Sequence, residues 1–194
     1  MNKGLDIPPD STVLNTRSIA LVGLMGVGKT TIGRRLAKRL ALPFYDSDEE
    51  IEQASGRTVK GYFKDHGEAA FRDGERRVIS RLLSDGPIVL STGGGAFIPD
   101  ATREILKSNS VTVWLEADHA TLMDRVMRKK TRPLLDVPDP AAKMRELIDE
   151  RYPIYAEAEL KVQAVGGTHM QTVEMVIAAL ETHYGGRVTK KRQA

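Results

Sequence analysis

The alternation of apolar runs and helical segments predicts an α/β domain of three layers, with a parallel sheet between two sets of helices. Three observations carry the prediction. Five short apolar runs recur along the 194 residues, separated by segments of helical periodicity. The first run leads directly into a glycine-rich turn and then a helix. No apolar stretch is long enough to cross a bilayer, so the runs read as buried strands and no membrane partner is expected.

The run at 18–22, SIALV, is the first strand. It is followed by Gly23-Leu24-Met25-Gly26-Val27-Gly28-Lys29-Thr30, a glycine, four free positions and then Gly-Lys-Thr. That is the P-loop pattern, and its strand and helix context gives it weight. Phosphate oxygens need many donors at close range. Gly23, Gly26 and Gly28 let successive backbone N–H groups curl inward, and the helix N-terminus adds partial positive charge. The backbone at Gly26, Val27 and Gly28, with Lys29, Thr30 and Thr31, is therefore the expected ATP-binding set. Lys29 is expected to reach the β- and γ-phosphates, and the Thr30 hydroxyl to face Mg²⁺.

A helix is predicted over 31–42, with Ile32, Leu36, Ala37 and Leu40 on one face. The strand at 43–46 ends in Asp46-Ser47-Asp48. Ligands in open α/β sheets sit beyond the carboxyl ends of strands, so Asp46 and Asp48 are candidates for a metal-side acid and a hydroxyl partner. A plainer role coexists with that one: Ser47 or Asp48 is a suitable N-cap for the helix that follows.

The stretch 51–83 reads as mostly helical, with breaks at 55–57 and near 66–67. Arg72 and Glu75 stand three apart and can pair. The plain reading is a surface ion pair; the sharper one is that Glu75 aims Arg72 at a carboxylate. His66 falls at a loop signal and is expected to be structural. The strand at 87–91 runs into Thr92-Gly93-Gly94-Gly95, where three glycines signal close backbone approach. It ends without an acid, which raises the value of Asp46. A helix at 100–107, a strand at 111–115 and a helix at 120–127 capped by Asp118 follow. The basic stretch from Arg125 through Arg128 and Arg132 to Pro133 reads as a solvated turn or as a lid over a nucleotide. Asp139-Pro140 opens a helix to about Tyr155 that carries Arg151, with Pro153 expected to loosen its last turn. A strand at 160–164 and a helix at 171–184 close the domain.

The net charge is +3, but the tail from Gly185 holds Arg187, Lys190, Lys191 and Arg192 and no acid, so without it the charge is −1. A near-neutral body argues against nucleic acid as a partner. There is no cysteine, hence no disulfide or thiolate metal site, which is compatible with the cytoplasm. The polar segment 1–17 lacks the apolar core of a signal peptide and reads as a flexible leader; 185–194 reads as a flexible basic tail.

Taken together and in order, Gly23 to Thr30, Asp46-Ser47-Asp48, Phe71-Arg72 with Glu75, Gly93-Gly94-Gly95, Arg132-Pro133-Leu134-Leu135, and Arg151 with Pro153 and Tyr155 resemble shikimate kinase, a small member of the P-loop kinase group. The resemblance runs over about 18–164. It implies a single P-loop NTPase domain over 18–184, with sheet order 2-3-1-4-5, a substrate-binding segment at about 47–84 and a short lid at about 125–138. It implies transfer of the γ-phosphate of ATP to the 3-hydroxyl of shikimate, in aromatic amino-acid biosynthesis, with Mg²⁺. Asp48 would bind that hydroxyl and act with Lys29 and Arg132 in catalysis. Arg72 and Arg151 would hold the shikimate carboxylate beside Gly93, Gly94 and Gly95. Asp46 would support Mg²⁺ with Thr30. Arg132 would be the lid arginine at the phosphoryl group, and Arg125 or Arg128 the arginine against adenine. Nothing in the sequence demands more than a monomer. Two other readings stand beside this one: a kinase for another small acid such as gluconate, and a nucleotide-binding module without turnover.

Overall fold

A computed structural model describes residues 17–128, 133–135, 137–164, 168–186 and 188. The chain runs β1 (Ser18–Val22), α1 (Lys29–Leu40), β2 (Phe44–Asp46), α2 (Ser47–Ser55), α3 (Val59–Ser84), β3 (Val89–Ser91), α4 (Asp100–Asn109), β4 (Ser110–Glu116), α5 (His119–Met127), a 3₁₀ turn (Pro133–Leu135), α6 (Pro140–Tyr155), β5 (Leu160–Gln163) and α7 (His169–Tyr184). The five strands form one sheet in the order β2-β3-β1-β4-β5, and every pairing is parallel. That is the sheet order implied by the resemblance.

The central strand explains the rest. Residues Ile19 to Val22 are fully buried, as a continuous apolar run between two helical layers must be. Ile19, Leu21 and Val22 each contribute about 1.5–3 kcal/mol on burial. The order 2-3-1-4-5 makes β1, β2 and β3 neighbours, so the phosphate loop after β1, the acids after β2 and the glycines after β3 emerge on the same edge.

The boundaries differ from the sequence reading where backbone conformation decides them. Helix α1 begins at Lys29 because Gly28, at φ 100° and ψ 20°, is its left-handed N-cap. It ends at Leu40 because Ala41 turns left-handed and its N–H returns to Ala37 O. The cap of α2 is Asp46, whose carboxylate accepts from Asp48 N at 3.1 Å. The expected cap Ser47 instead takes a bond from Gly93 N at 2.9 Å. Helix α3 is broken at Gly67, φ 77° and ψ 174°, at the expected position. His66 is exposed, with its ring tilted against that of Tyr62, centres 4.9 Å apart. Pro153 does not loosen α6 at its end, since Ala156 N still reaches Tyr152 O at 2.9 Å. Helix α7 starts at His169, two residues early, through a capping box between Thr168 and Gln171.

Candidate active site

The phosphate loop is drawn tightly between its neighbours. Gly23, Gly26 and Gly28 all have positive φ, and a Cβ on Gly26 would fall 2.6 Å from Val126 Cγ2 of α5. Lys29 is buried; its Nζ folds back over the loop, donating to Gly23 O at 2.7 Å and Leu24 O at 3.0 Å. Val27 has a fully buried side chain, so only its backbone serves the loop. Its carbonyl accepts from Arg125 Nη1 at 2.8 Å.

Thr30 and Asp46 meet as expected from their places after β1 and β2. The Thr30 hydroxyl donates to Asp46 Oδ2 at 2.7 Å, and Ser91 Oγ lies 3.5 Å from the same hydroxyl. Among the described residues no group of three His, Cys, Asp or Glu side chains gathers to hold a metal. The donor set is therefore a hydroxyl and one carboxylate, both hard oxygens. It fits Mg²⁺, which keeps several waters and takes its remaining ligands from phosphates.

Around the glycines after β3 a second group assembles. A Cβ on Gly93 would lie 2.7 Å from both Asp48 Oδ1 and Glu75 Oε1, so two carboxylates converge over that residue. A Cβ on Gly95 would overlap the Arg72 guanidinium. Arg72 Nη1 donates to Glu75 Oε2 at 2.6 Å, and the guanidinium lies over Phe71 at 5.3 Å and Phe63 at 5.9 Å. Glu75 is almost fully buried, so the pair is not the surface contact of the plain reading. Burial pushes the Glu75 carboxyl up to about 6, against the pull of Arg72, and Asp48 and Glu68 add to the rise. Arg151 Nη1 approaches Gly94 O at 3.4 Å from α6. Glu75 Oε1 and Arg151 Nε are buried with no hydrogen-bond partner among the described residues.

A cleft of about 720 Å³ joins the two groups. Gly26, Gly28, Lys29, Thr30 and Thr31 line it from the phosphate loop, and Asp46, Asp48 and Gly94 from the other side. Arg72 and Arg151 are not among the lining residues; they lie against Gly95 and Gly94 respectively. Arg125 and Arg128 both reach the cleft; Arg125 is anchored on the loop, whereas Arg128 is exposed and paired with Asp124 at 2.9 Å. The lid arginine Arg132 lies outside the described residues.

The sequence reading missed His169. Its ring lies 3.3 Å from where a Cβ on Gly28 would stand, and it lines the cleft. Burial, with the Arg125 and Arg35 charges, lowers its pKa. The signal that could have found it is Thr168-x-x-Gln171, which marks His169 as the first residue of a helix.

Comparison with known proteins gives three concordant findings. The family model for shikimate kinase matches residues 25–181. A shikimate kinase of Bradyrhizobium diazoefficiens is 50% identical over 175 residues, 90% of this chain and 84% of that one. One of Caulobacter vibrioides is 50% identical over 174 residues, 90% of this chain and 87% of that one. Among solved structures, a shikimate kinase from Acinetobacter baumannii in complex with shikimate is similar with TM-score 0.84 and 38% identity, covering 90% of this chain and 98% of that one. A gluconokinase from Sinorhizobium meliloti is similar in fold, with TM-score 0.58 and 20% identity over 88% of this chain and 95% of that one.

Proposed function

The chain belongs to the shikimate kinase family, and from that premise we propose how its own residues transfer the γ-phosphate of ATP to the 3-hydroxyl of shikimate. The overall reaction is that of an ATP-dependent kinase with an alcohol acceptor. Phosphoryl transfer asks mainly for positioning and charge stabilisation. The backbone of Gly26, Val27 and Gly28 and the side chains of Lys29, Thr30 and Thr31 hold the triphosphate. Lys29 leaves its two carbonyl partners and moves onto the β- and γ-phosphates when the nucleotide binds. Thr30 and Asp46 would hold Mg²⁺, which would supply positive charge to offset that of the phosphate oxygens. Arg125 or Arg128 serves the nucleoside end, and the charge of Arg132 stabilises the transferring phosphoryl.

Arg72 and Arg151 bind the acceptor carboxylate, with Gly93, Gly94 and Gly95 beside the ring. Glu75 fixes the plane of Arg72, so that the guanidinium meets the carboxylate in one orientation. Asp48 accepts the hydrogen bond of the reacting hydroxyl and takes its proton. The new bond joins that oxygen to the γ-phosphorus as the bond to the bridging β–γ oxygen breaks, leaving ADP. The observation that carries this reading is a cleft lined on one side by the phosphate loop and on the other by Asp48 and Gly94, with Asp48 Oδ1 and Glu75 Oε1 converging over Gly93 next to it.

We further propose that the protein works as a monomer in the cytoplasm, on small molecules alone. Among the described residues no helix is long and apolar enough to cross a membrane. The test of the acceptor is ADP release from Mg-ATP with and without shikimate, with gluconate in parallel. A rise with shikimate alone is expected. A rise with gluconate of equal size would overturn the acceptor assignment, and ATP binding without any rise would favour a module that binds but does not turn over.

A further inference from the structure

The carbonyls of the triple glycine are each accounted for. Gly93 O accepts from Ala96 N at 3.1 Å and Gly95 O from Ile98 N at 3.2 Å, both within the turn itself. The carbonyl of Gly94 is held from outside. It accepts the Tyr155 hydroxyl, with Arg151 Nη1 at 3.4 Å on the same oxygen. Tyr155 and Arg151 stand four apart on α6, so they present to the turn from one helical face.

Gly94 is also where the two halves of the cleft touch. A Cβ there would lie 3.2 Å from Met25 N of the phosphate loop. Its neighbours carry the acceptor-side contacts: Gly93 N bonds Ser47, and Gly95 lies against the Arg72 guanidinium. Turning the Gly94 peptide therefore disturbs both. Tyr155 is built to prevent that turn. It is 1% exposed, and its ring is packed among Phe97, Trp114 and Tyr152 with centres 6.4, 6.2 and 6.4 Å away. Burial pushes its phenol up, against the pull of the Arg151 guanidinium, so the hydroxyl keeps its proton and remains a donor.

We propose that Tyr155 is a positioning residue for the acceptor: through the Gly94 carbonyl it sets the glycine turn and Arg151 in register with the phosphate loop. The proposal rests on the reading of the glycine turn and Arg151 as the acceptor site. Its ring anchors α6, and its hydroxyl acts on the reaction.

The experiment separates hydroxyl from ring and acceptor from nucleotide. Shikimate Kd by calorimetry and KM for both substrates are measured for wild type, Tyr155→Phe, Arg151→Lys and Phe97→Leu. Loss of a buried hydrogen bond predicts a shikimate Kd and KM raised roughly fivefold to tenfold in Tyr155→Phe, with the ATP KM within about twofold. Phe97→Leu, which loosens the same ring stack, is expected to lower Tm and leave the ratio of the two KM values unchanged. An unchanged shikimate Kd in Tyr155→Phe overturns the proposal, as does an equal rise in both KM values. The same acceptor-selective loss in Phe97→Leu also overturns it, by assigning the effect to packing. An unchanged shikimate Kd in Arg151→Lys refutes the reading of Arg151 as an acceptor ligand and overturns the part of the proposal that runs through it; a raised Kd in Tyr155→Phe beside it then supports only the action through the glycine turn.

Discussion

Replacing Glu75 with Gln should make the free enzyme more stable at neutral pH and less able to bind its acceptor. The carboxyl is 1% exposed, and burial lifts it from 4.5 to about 6 despite the Arg72 guanidinium 2.6 Å away. A rise of that size corresponds to about 2 kcal/mol between the two protonation states. The folded protein holds the proton more tightly than the unfolded chain. The associated stability is therefore fully present below pH 4.5 and is lost as pH rises through 6. Gln keeps the shape and an oxygen for Arg72 Nη1 but has no ionisation to oppose. Urea unfolding of wild type and Glu75→Gln from pH 4.5 to 7.5 should show nearly equal stability at the acid end. The variant should then gain about 2 kcal/mol relative to wild type by pH 7, or roughly 4–8 °C in Tm for a domain of this size. Titrations common to both proteins cancel in the difference. Parallel curves would refute the reasoning, because they mean that the ion pair fully offsets burial, and so would a wild type that gains on the variant as pH rises, because the ion pair then outweighs burial. If, as proposed, an ionised Glu75 orients Arg72 toward the acceptor carboxylate, the variant should show a weaker shikimate Kd by calorimetry.

Three other outcomes are expected. Asp48→Asn should lower kcat by about 10² or more while leaving the ATP Kd alone, as loss of a proton acceptor does; unchanged turnover removes Asp48 from the chemistry. Thr30→Ala should raise the Mg²⁺ concentration needed for half-maximal rate by roughly tenfold, because Mg²⁺ takes few protein ligands and losing one is felt; Mn²⁺ binding followed by relaxation checks this without turnover, and an unaltered affinity moves the metal elsewhere. Gly95→Ala places a Cβ on the Arg72 guanidinium, so the shikimate KM should rise about tenfold with the ATP KM steady. Equal changes in both KM values would mean the turn as a whole has moved.

Much of this site is legible in sequence because its parts are local. The run Ser18–Val22, the glycines that follow and the helix from Lys29 are contiguous, and hydrophobic periodicity with P-loop spacing suffices to place them. Arg72 and Glu75 are three apart on one helix, so their pairing could be read directly. The opposing views of that pair, surface contact or buried clamp, could not be separated without burial. Asp46 and Asp48 were placed near the phosphates by a general rule for open sheets, not by any property of their own.

What only the tertiary structure decided are the meetings across long stretches of chain. Tyr155 reaches Gly94 over 61 positions, and Arg125 reaches Val27 over 98. His169 closes on Gly28 from the far end of the domain. Periodicity says which face of a helix is buried, but not which neighbour it is buried against. Strand order supplies that information: the crossover that puts β3 between β1 and β2 lays the triple glycine on the phosphate loop, and α6 then fixes its middle carbonyl. Local sequence determines the conformation of each segment, because backbone and capping energies act over a few residues. The site arises from side chains that meet only once the sheet has closed, and no local pattern encodes that distance.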